Sequence, residues 1–338
     1  MITALETRTL STRRFSRRQL NATAIFLLAI AALIAPQLMS DPTFYMQAVL
    51  AAIVVTGLSL LMGFAGQASL GQGAFFAVGA LTVAVGTTKL NAPPLLALVL
   101  APPAAALFAL VVGVPLLRLR GHYLAFGTLA LLLMVSAAMN TFDVLGGSFG
   151  IGGIPPLGVG SFTIKSQQQY AYVALACLAA VLLVTHNLID SRFGRGVRSL
   201  AGSESAAASA GVPVARTKLT IFAISAAFAG LAGALSVFYT PYISPDSFPA
   251  SESFKYVIMA VVGGLGMLWG GVVGAIVIST LLQVLNTLST QPGLPATAGP
   301  ILQYAAYSIV LIVTVLFLPR GIMSLLHNLR DRVAGEAS

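Results

Sequence analysis

Long apolar runs separated by short polar gaps make up most of this chain. They lie near residues 22–39, 44–63, 73–88, 94–117, 122–140, 169–189, 218–238, 254–268, 270–289 and 300–318. Most approach the roughly 20 apolar residues that cross a bilayer as a helix. Within each run the apolar positions are continuous, without the two-residue alternation of a transmembrane β-barrel. The pattern predicts an all-α, polytopic membrane protein of about ten spans, with residues 1–338 forming one transmembrane domain.

Two of the runs are interrupted by glycine. Gly63, Gly66, Gly71 and Gly73 punctuate GFAGQASLGQGAFFAVGA, which also carries Gln67, Ser69 and Gln72. Gly263, Gly264, Gly266, Gly270, Gly271 and Gly274 punctuate the later run. Paired interruptions in the two halves of a membrane protein point to structural repeats and a pathway built from broken helices. Close packing of small residues is the competing account. The polar side chains favour a pathway role in the first segment. The candidate pathway residues are Gly66, Gln67, Ser69, Gly71, Gln72, Gly264 and Gly266.

The gap at 190–218, DSRFGRGVRSLAGSESAAASAGVPVARTK, is different in kind. At about 29 residues it is long for a connection. Arg192, Arg195, Arg198, Arg216 and Lys218 outnumber Asp190 and Glu204. Its Ala-rich centre, Ser203–Gly211, has the composition of a short helix. Two other gaps, 143–168 and 239–253, are rich in Gly or Pro and read as irregular loops suited to contact an external protein.

Composition agrees with the pattern. Of 338 residues 57% are hydrophobic and 8% charged, against about 25% charged in soluble domains. The net charge of +9 sits in the gaps, so it does not form a nucleic-acid footprint. With the N-terminus inside, 15 of the 18 Lys and Arg residues fall on the cytoplasmic side, leaving Lys89, Lys165 and Lys255 outside. By the positive-inside rule the basic tail 1–21, the 190–218 loop and the tail 319–338 are cytoplasmic. Arg13, Arg14, Arg17 and Arg18 then anchor a first membrane helix, in preference to marking a cleaved signal.

This threading leaves no Asp, Glu, Lys or Arg well inside a span, which disfavours proton-coupled carriers and intramembrane hydrolases. The single Cys177 and the separated His122, His186 and His327 offer no metal-ligand spacing. A Walker A loop needs a Gly-Lys pair, yet Thr88, Ile164, Thr217 and Phe254 precede the four lysines. ATP-driven work would therefore need a separate ATPase, for which the 190–218 loop is a suitable docking place.

Five ordered motifs carry a family resemblance: GLSLLMGFAGQASLGQGAFFAVGAL (57–81), RLRGHYLAFGTLALLL (118–133), the segment 193–235, VVGGLGMLWGGVVGAIV (261–277) and PRGI (319–322). Together they resemble the branched-chain amino acid ABC transporter permeases, and are more similar to the LivM type of subunit than to its LivH partner. The resemblance covers roughly Tyr45–Ile322. It implies an ABC importer permease fold in the bacterial inner membrane. It further implies a LivH-like second permease subunit, two cytoplasmic ATPases that bind ATP and Mg, and a periplasmic substrate-binding protein. No cofactor or catalytic residue is expected in this chain. Residues matching the family's ATPase-coupling loop are Gly194, Arg195, Arg198, Glu204, Ala207 and Gly211. Leu200–Ser203 departs from the family pattern, which often carries more charge there. Similar permeases move urea, short amides or aromatic acids, and an ATP-independent carrier or channel is the alternative of another class.

Overall fold

The computed structural model describes residues 42–119, 121–159, 162–164, 166–289 and scattered positions between 302 and 323, all within one compact unit, Asp41–Ser338. The expected first span (22–39), the tail 1–21, and most of the last span (300–318) and of the tail 319–338 lie outside the described residues.

Helix α1 (Thr43–Leu58) continues into a π-helical turn (Ser59–Phe64). After an extended stretch come α2 (Gln72–Thr88), α3 (Pro94–Leu116) and α4 (His122–Thr141). A loop with three two-residue strands, β1 (Ile151–Gly152), β2 (Gly158–Val159) and β3 (Phe162–Thr163), leads to α5 (Gln167–Asp190). Next are α6 (Arg192–Gly202), α7 (Glu204–Ser209), α8 (Val214–Tyr239), β4 (Tyr242–Ile243), α9 (Ala250–Gly263) and α10 (Gly270–Ser289). Six helical segments among the described residues are long and apolar enough to cross a membrane: α1 with its π turn, α3, α4, α5, α8 and α10. The two glycine-interrupted runs instead yield the shorter α2, of 17 residues, and α9, of 14 residues.

Small side chains organise the centre. Helix α8 is 78% buried and α1 72%, whereas α3, α4, α5 and α10 are 28–33% buried over their most apolar stretches. Helix α3 presents Ala97, Ala101, Ala105, Ala109 and Gly113 at every fourth position, all buried. This stripe lets α3 seat closely on α8, where Ala105 packs at Gly230 and Leu219 and Phe222 at Gly113. The opposite face of α3 leaves Val99, Leu107 and Val111 exposed, as a lipid-facing surface does. Helix α2 approaches so closely that a methyl group added at Gly79 or Gly233 would overlap the backbone of the facing helix.

At one end β1 and β4 pair antiparallel, Ile151 opposite Ile243, joining the 143–168 and 239–253 loops. Tyr242 Oη donates to the Phe149 carbonyl (2.9 Å) and Lys89 Nζ to the Asp143 carbonyl (2.7 Å). We call this the loop end. The opposite end carries Arg192, Arg195, Arg198, Arg216 and Lys218 and is the basic end.

Candidate functional site

The site is built around residues 65–71, where the chain stays inside the bundle without remaining helical, and the first turn of α2 that follows. Gln67 packs by Lys218, Gln72 by Ser225 and Phe76 by Gly233, so the segment climbs beside α8 from the basic end. Backbone amides released from a helix inside a membrane protein need partners from other side chains or elements. Here the Leu70 N–H donates to Thr128 Oγ1 (2.9 Å), the Gly71 N–H to Ser69 Oγ (3.3 Å) and the Gly73 N–H to Ser253 Oγ (3.1 Å). The Gln67 N–H reaches back to the Leu61 carbonyl at 3.0 Å. The reversal out of the π turn falls on Gly66 with φ +65°, a conformation L side chains rarely adopt.

Several polar side chains are buried at this level: Gln67, Ser69, Gln72, Thr128, Ser225 and Ser253. Gln72 Nε2 donates to Ser225 Oγ (3.0 Å) and Gln67 Nε2 to the Lys218 carbonyl (3.5 Å). The Oε1 atoms of both glutamines have no hydrogen-bond partner. A buried acceptor left unpaired costs about 1–3 kcal/mol, which is retained where a ligand or water supplies the donor.

Depth follows from these contacts. Ser225 is eleven residues beyond Val214 in the 26-residue α8. Gly73 also packs on Leu132, midway along α4. Helix α9, expected as a span over 254–268, therefore starts at half depth and runs about 15 Å from Ser253 to Gly263 at the basic end. There Gly63 abuts Gly266, and Gly321 abuts Gly264. Gly264 and Gly266 turn with φ +112° and +78°.

The structure places Glu252 and Lys255 in the opening turns of α9, the segment expected as a span over 254–268. Glu252 and Lys255 flank Ser253, form an ion pair and lie near half depth. The sequence places them on the outer side, next to or within the Pro-rich gap 239–253. That stretch folds down into the bundle, with Phe248 stacked edge-on to Phe76 at 6.0 Å. Within this chain the Lys255 side chain is 19% and the Glu252 side chain 37% exposed, so the pair is largely covered.

The basic end gathers the other group of sequence-singled residues. The expected helix in Ser203–Gly211 is Glu204–Ser209, and a second, strongly amphipathic helix, α6, precedes it. Ser191 caps α6 by accepting from the Gly194 N–H (3.2 Å), and Ser203 caps α7 by accepting from the Ala206 N–H (3.3 Å). Helix α6 buries Gly194, Val197 and Leu200 and exposes Arg192, Arg195 and Arg198. Gly194 is pressed onto the Leu188 and Ile189 carbonyls. Arg198 donates to the Ile189 carbonyl (3.0 Å) and sits 5.9 Å from the Phe64 ring centroid. In α7 only Ala207 is buried, and the exposed Gly211 (φ +82°) closes the turn behind it.

Lys218, which sequence reading counted only as part of the basic loop, joins the two regions. Its ammonium pairs with Glu204 on α7, while its carbonyl accepts from Gln67. Ala201, inside the unusual Leu200–Ser203 run, packs against Gly66. An open crevice of about 430 Å³ lies here, lined by Gly63, Phe64, Arg198, Ala201 and Gly266. The two sets of candidate residues thus meet at the basic end, through side chains that carry no motif.

A family profile described as "Branched-chain amino acid transport system / permease component" matches residues 43–318. The "High-affinity branched-chain amino acid transport system permease protein LivM" of Salmonella typhimurium is 34% identical over 255 residues, and that of Escherichia coli K12 is 32% identical over 250. Each alignment covers 67% of this chain and 59% of the relative. The "L-arabinose transport system permease protein AraH" of Escherichia coli K12 is 26% identical over 154 residues, 43% of each chain. No solved structure matches significantly.

Proposed function

The chain belongs to the branched-chain amino acid transport permease family, and from that premise we propose that it is a membrane subunit of an ATP-driven importer for branched-chain, hydrophobic amino acids. A second permease subunit completes the pathway, a substrate-binding protein docks at the loop end, and ATPase subunits holding ATP and Mg dock at the basic end. The chain itself performs no covalent chemistry. The inner membrane, with both termini cytoplasmic, is the setting the charge distribution favours.

The observation that carries this reading is the connection from α7 to the unwound segment. A short helix with one buried residue, Ala207, projects from the basic end, an element suited to fit a cleft on a soluble partner. Displacing α7 pulls on Glu204, hence on Lys218, whose carbonyl holds Gln67. Gln67 begins the stretch that ends at the half-depth contact between Gly73 and Ser253. Nucleotide-driven movement at one end is thereby linked to the non-helical backbone at the centre. Arg198, held between Phe64 and the end of α5, makes α6 move with the same unit.

The test is purification from native membranes followed by reconstitution. Copurification of an ATPase and leucine uptake that requires both ATP and the loaded binding protein is the expected result. Uptake by this chain alone, driven only by an ion or substrate gradient, would refute the reading.

A further inference from the structure

We propose that the turn between α3 and α4 binds the headgroup of an anionic phospholipid, with the Arg118 guanidinium on the phosphate and the Tyr123 hydroxyl beside it. The site follows from the membrane-spanning fold alone and holds whichever cargo is carried. It gives a role to the RLRGHY stretch (118–123), which neither the unwound segment nor α7 uses.

The surface leading to the turn is built for lipid. Every exposed position of α3 from Leu95 to Pro115 is apolar. At about 1.5 Å per residue this band is about 30 Å long, the thickness of a bilayer's hydrocarbon core. Its side chains are large and branched, with Leu107, Val111 (67% exposed) and Val114 among them. Helices that meet inside a membrane favour small residues at the contact. Helix α3 places its small residues, from Ala97 to Gly113, on the opposite face against α8. Helix α4 continues the apolar surface, because its exposed positions between Tyr123 and Asn140 are Phe126, Ala130, Leu133, Met134 and Ala137.

The charge sits just past the end of this band. Arg118 comes four residues after Val114, in the turn that follows α3. The chain reverses at Gly121 (φ +56°), and Leu116 and Leu119 lie against Gly127 of α4. This apolar seat holds the turn and leaves Arg118, His122 and Tyr123 exposed, Tyr123 by 75%. Among the described residues no carboxylate pairs with Arg118, and its side chain makes no hydrogen bond. Arg120, outside the described residues, adds a second cation to the turn by sequence. A guanidinium meets a phosphate with two parallel hydrogen bonds. A tyrosine at the membrane boundary keeps its ring among acyl chains and its hydroxyl among headgroups. Two cations without a protein counter-ion select a lipid of net negative charge over a zwitterionic one.

The test uses the full chain, with whatever subunits copurify, in phosphatidylcholine nanodiscs doped with a photoreactive phosphatidylglycerol below saturation. Crosslinks mapped by mass spectrometry should fall on residues 118–126, and a photoreactive phosphatidylcholine should label them far less. Arg118→Gln should lower the phosphatidylglycerol crosslinks there about fivefold, the effect of one arginine at an anionic surface. Arg192→Gln, at an exposed arginine on α6, should leave them unchanged. Equal labelling by the two lipids, or crosslinks that Arg118→Gln does not reduce, would overturn the site. An equal loss in Arg192→Gln would overturn it too, by showing diffuse attraction to the whole basic end. Loss of a copurifying ATPase in Arg118→Gln with crosslinks unchanged would instead assign the turn to a protein contact.

Discussion

Replacing Lys218 with glutamine removes the cation that ties α7 to the foot of α8, yet leaves the Lys218 carbonyl and its Gln67 contact in place. The pair joins a lysine side chain 13% exposed to a glutamate side chain 49% exposed. A bare Coulomb figure of about 4 kcal/mol at an effective dielectric of about 20 overstates it. Half of Glu204 faces solvent, and exposed pairs measure about 0.2–1 kcal/mol. The largely buried lysine argues for the upper end, about 1 kcal/mol, or roughly a fivefold change in how often α7 is held against α8. The thermal midpoint should therefore scarcely move, while the ATP consumed per amino acid imported rises about fivefold. Proteoliposomes containing the full importer, with uptake and phosphate release measured in parallel, provide the assay. Glu204→Gln should have the same effect, and the double variant should be no worse than either single, because both remove one interaction. Raised salt should push the wild type towards the variants and affect them less. An unchanged uptake-to-ATP ratio in Lys218→Gln, or additive losses in the double variant, would refute the linkage.

Three further outcomes follow from packing and hydrogen bonding. Gly79→Ala places a methyl group onto the Gly230 backbone, whereas at Gly86 the added carbon meets only the Ala97 Cβ, 3.6 Å away. Gly79→Ala should cost about 1–3 kcal/mol and Gly86→Ala should be neutral or slightly stabilising, as read by thermal unfolding in nanodiscs. Ser225→Ala strands the Gln72 amide and should cost about 1–3 kcal/mol, more than the Gln72→Met/Ser225→Ala double variant, which removes both partners. Tyr242→Phe cuts the bond to the Phe149 carbonyl. It should speed hydrogen exchange across residues 147–152 with less than about 1 kcal/mol lost overall, the bond being solvent-exposed.

Much of the fold is readable from composition and run length, because a helix in lipid must satisfy its own backbone. The apolar runs that became α1, α3, α4, α5, α8 and α10 declare themselves in this way. The two glycine-interrupted runs are legible as irregular, and Gln67, Ser69 and Gln72 do lie buried beside unwound backbone. Depth is another matter. Nothing local to SPDSFPASESFK indicates that its second half lies level with Ser225; that is decided by Phe248 seating on Phe76 and by Ser253 bonding to Gly73. A hydropathy reading treats polar and Pro-rich sequence as a surface connector, so Glu252 and Lys255 were put outside. Lys218 was hidden for a similar reason. Its part depends on a pairing 14 residues away and on its carbonyl, and neither leaves a motif.

The half-depth contact explains why two interrupted segments serve better than two continuous helices. Residues 64–71 reach the centre from the basic end, and 244–249 reach it from the loop end. The helices that follow them, α2 and α9, meet through the Gly73 amide and the Ser253 hydroxyl, at a glycine that lets Ser253 and Leu132 close in, and Phe248 stacks on Phe76 nearby. A continuous helix there would carry a displacement of the basic end straight to the loop end, opening or closing both together. A joint made of one hydrogen bond, a glycine and one ring contact can change one side while the other keeps its packing, as alternating access would require.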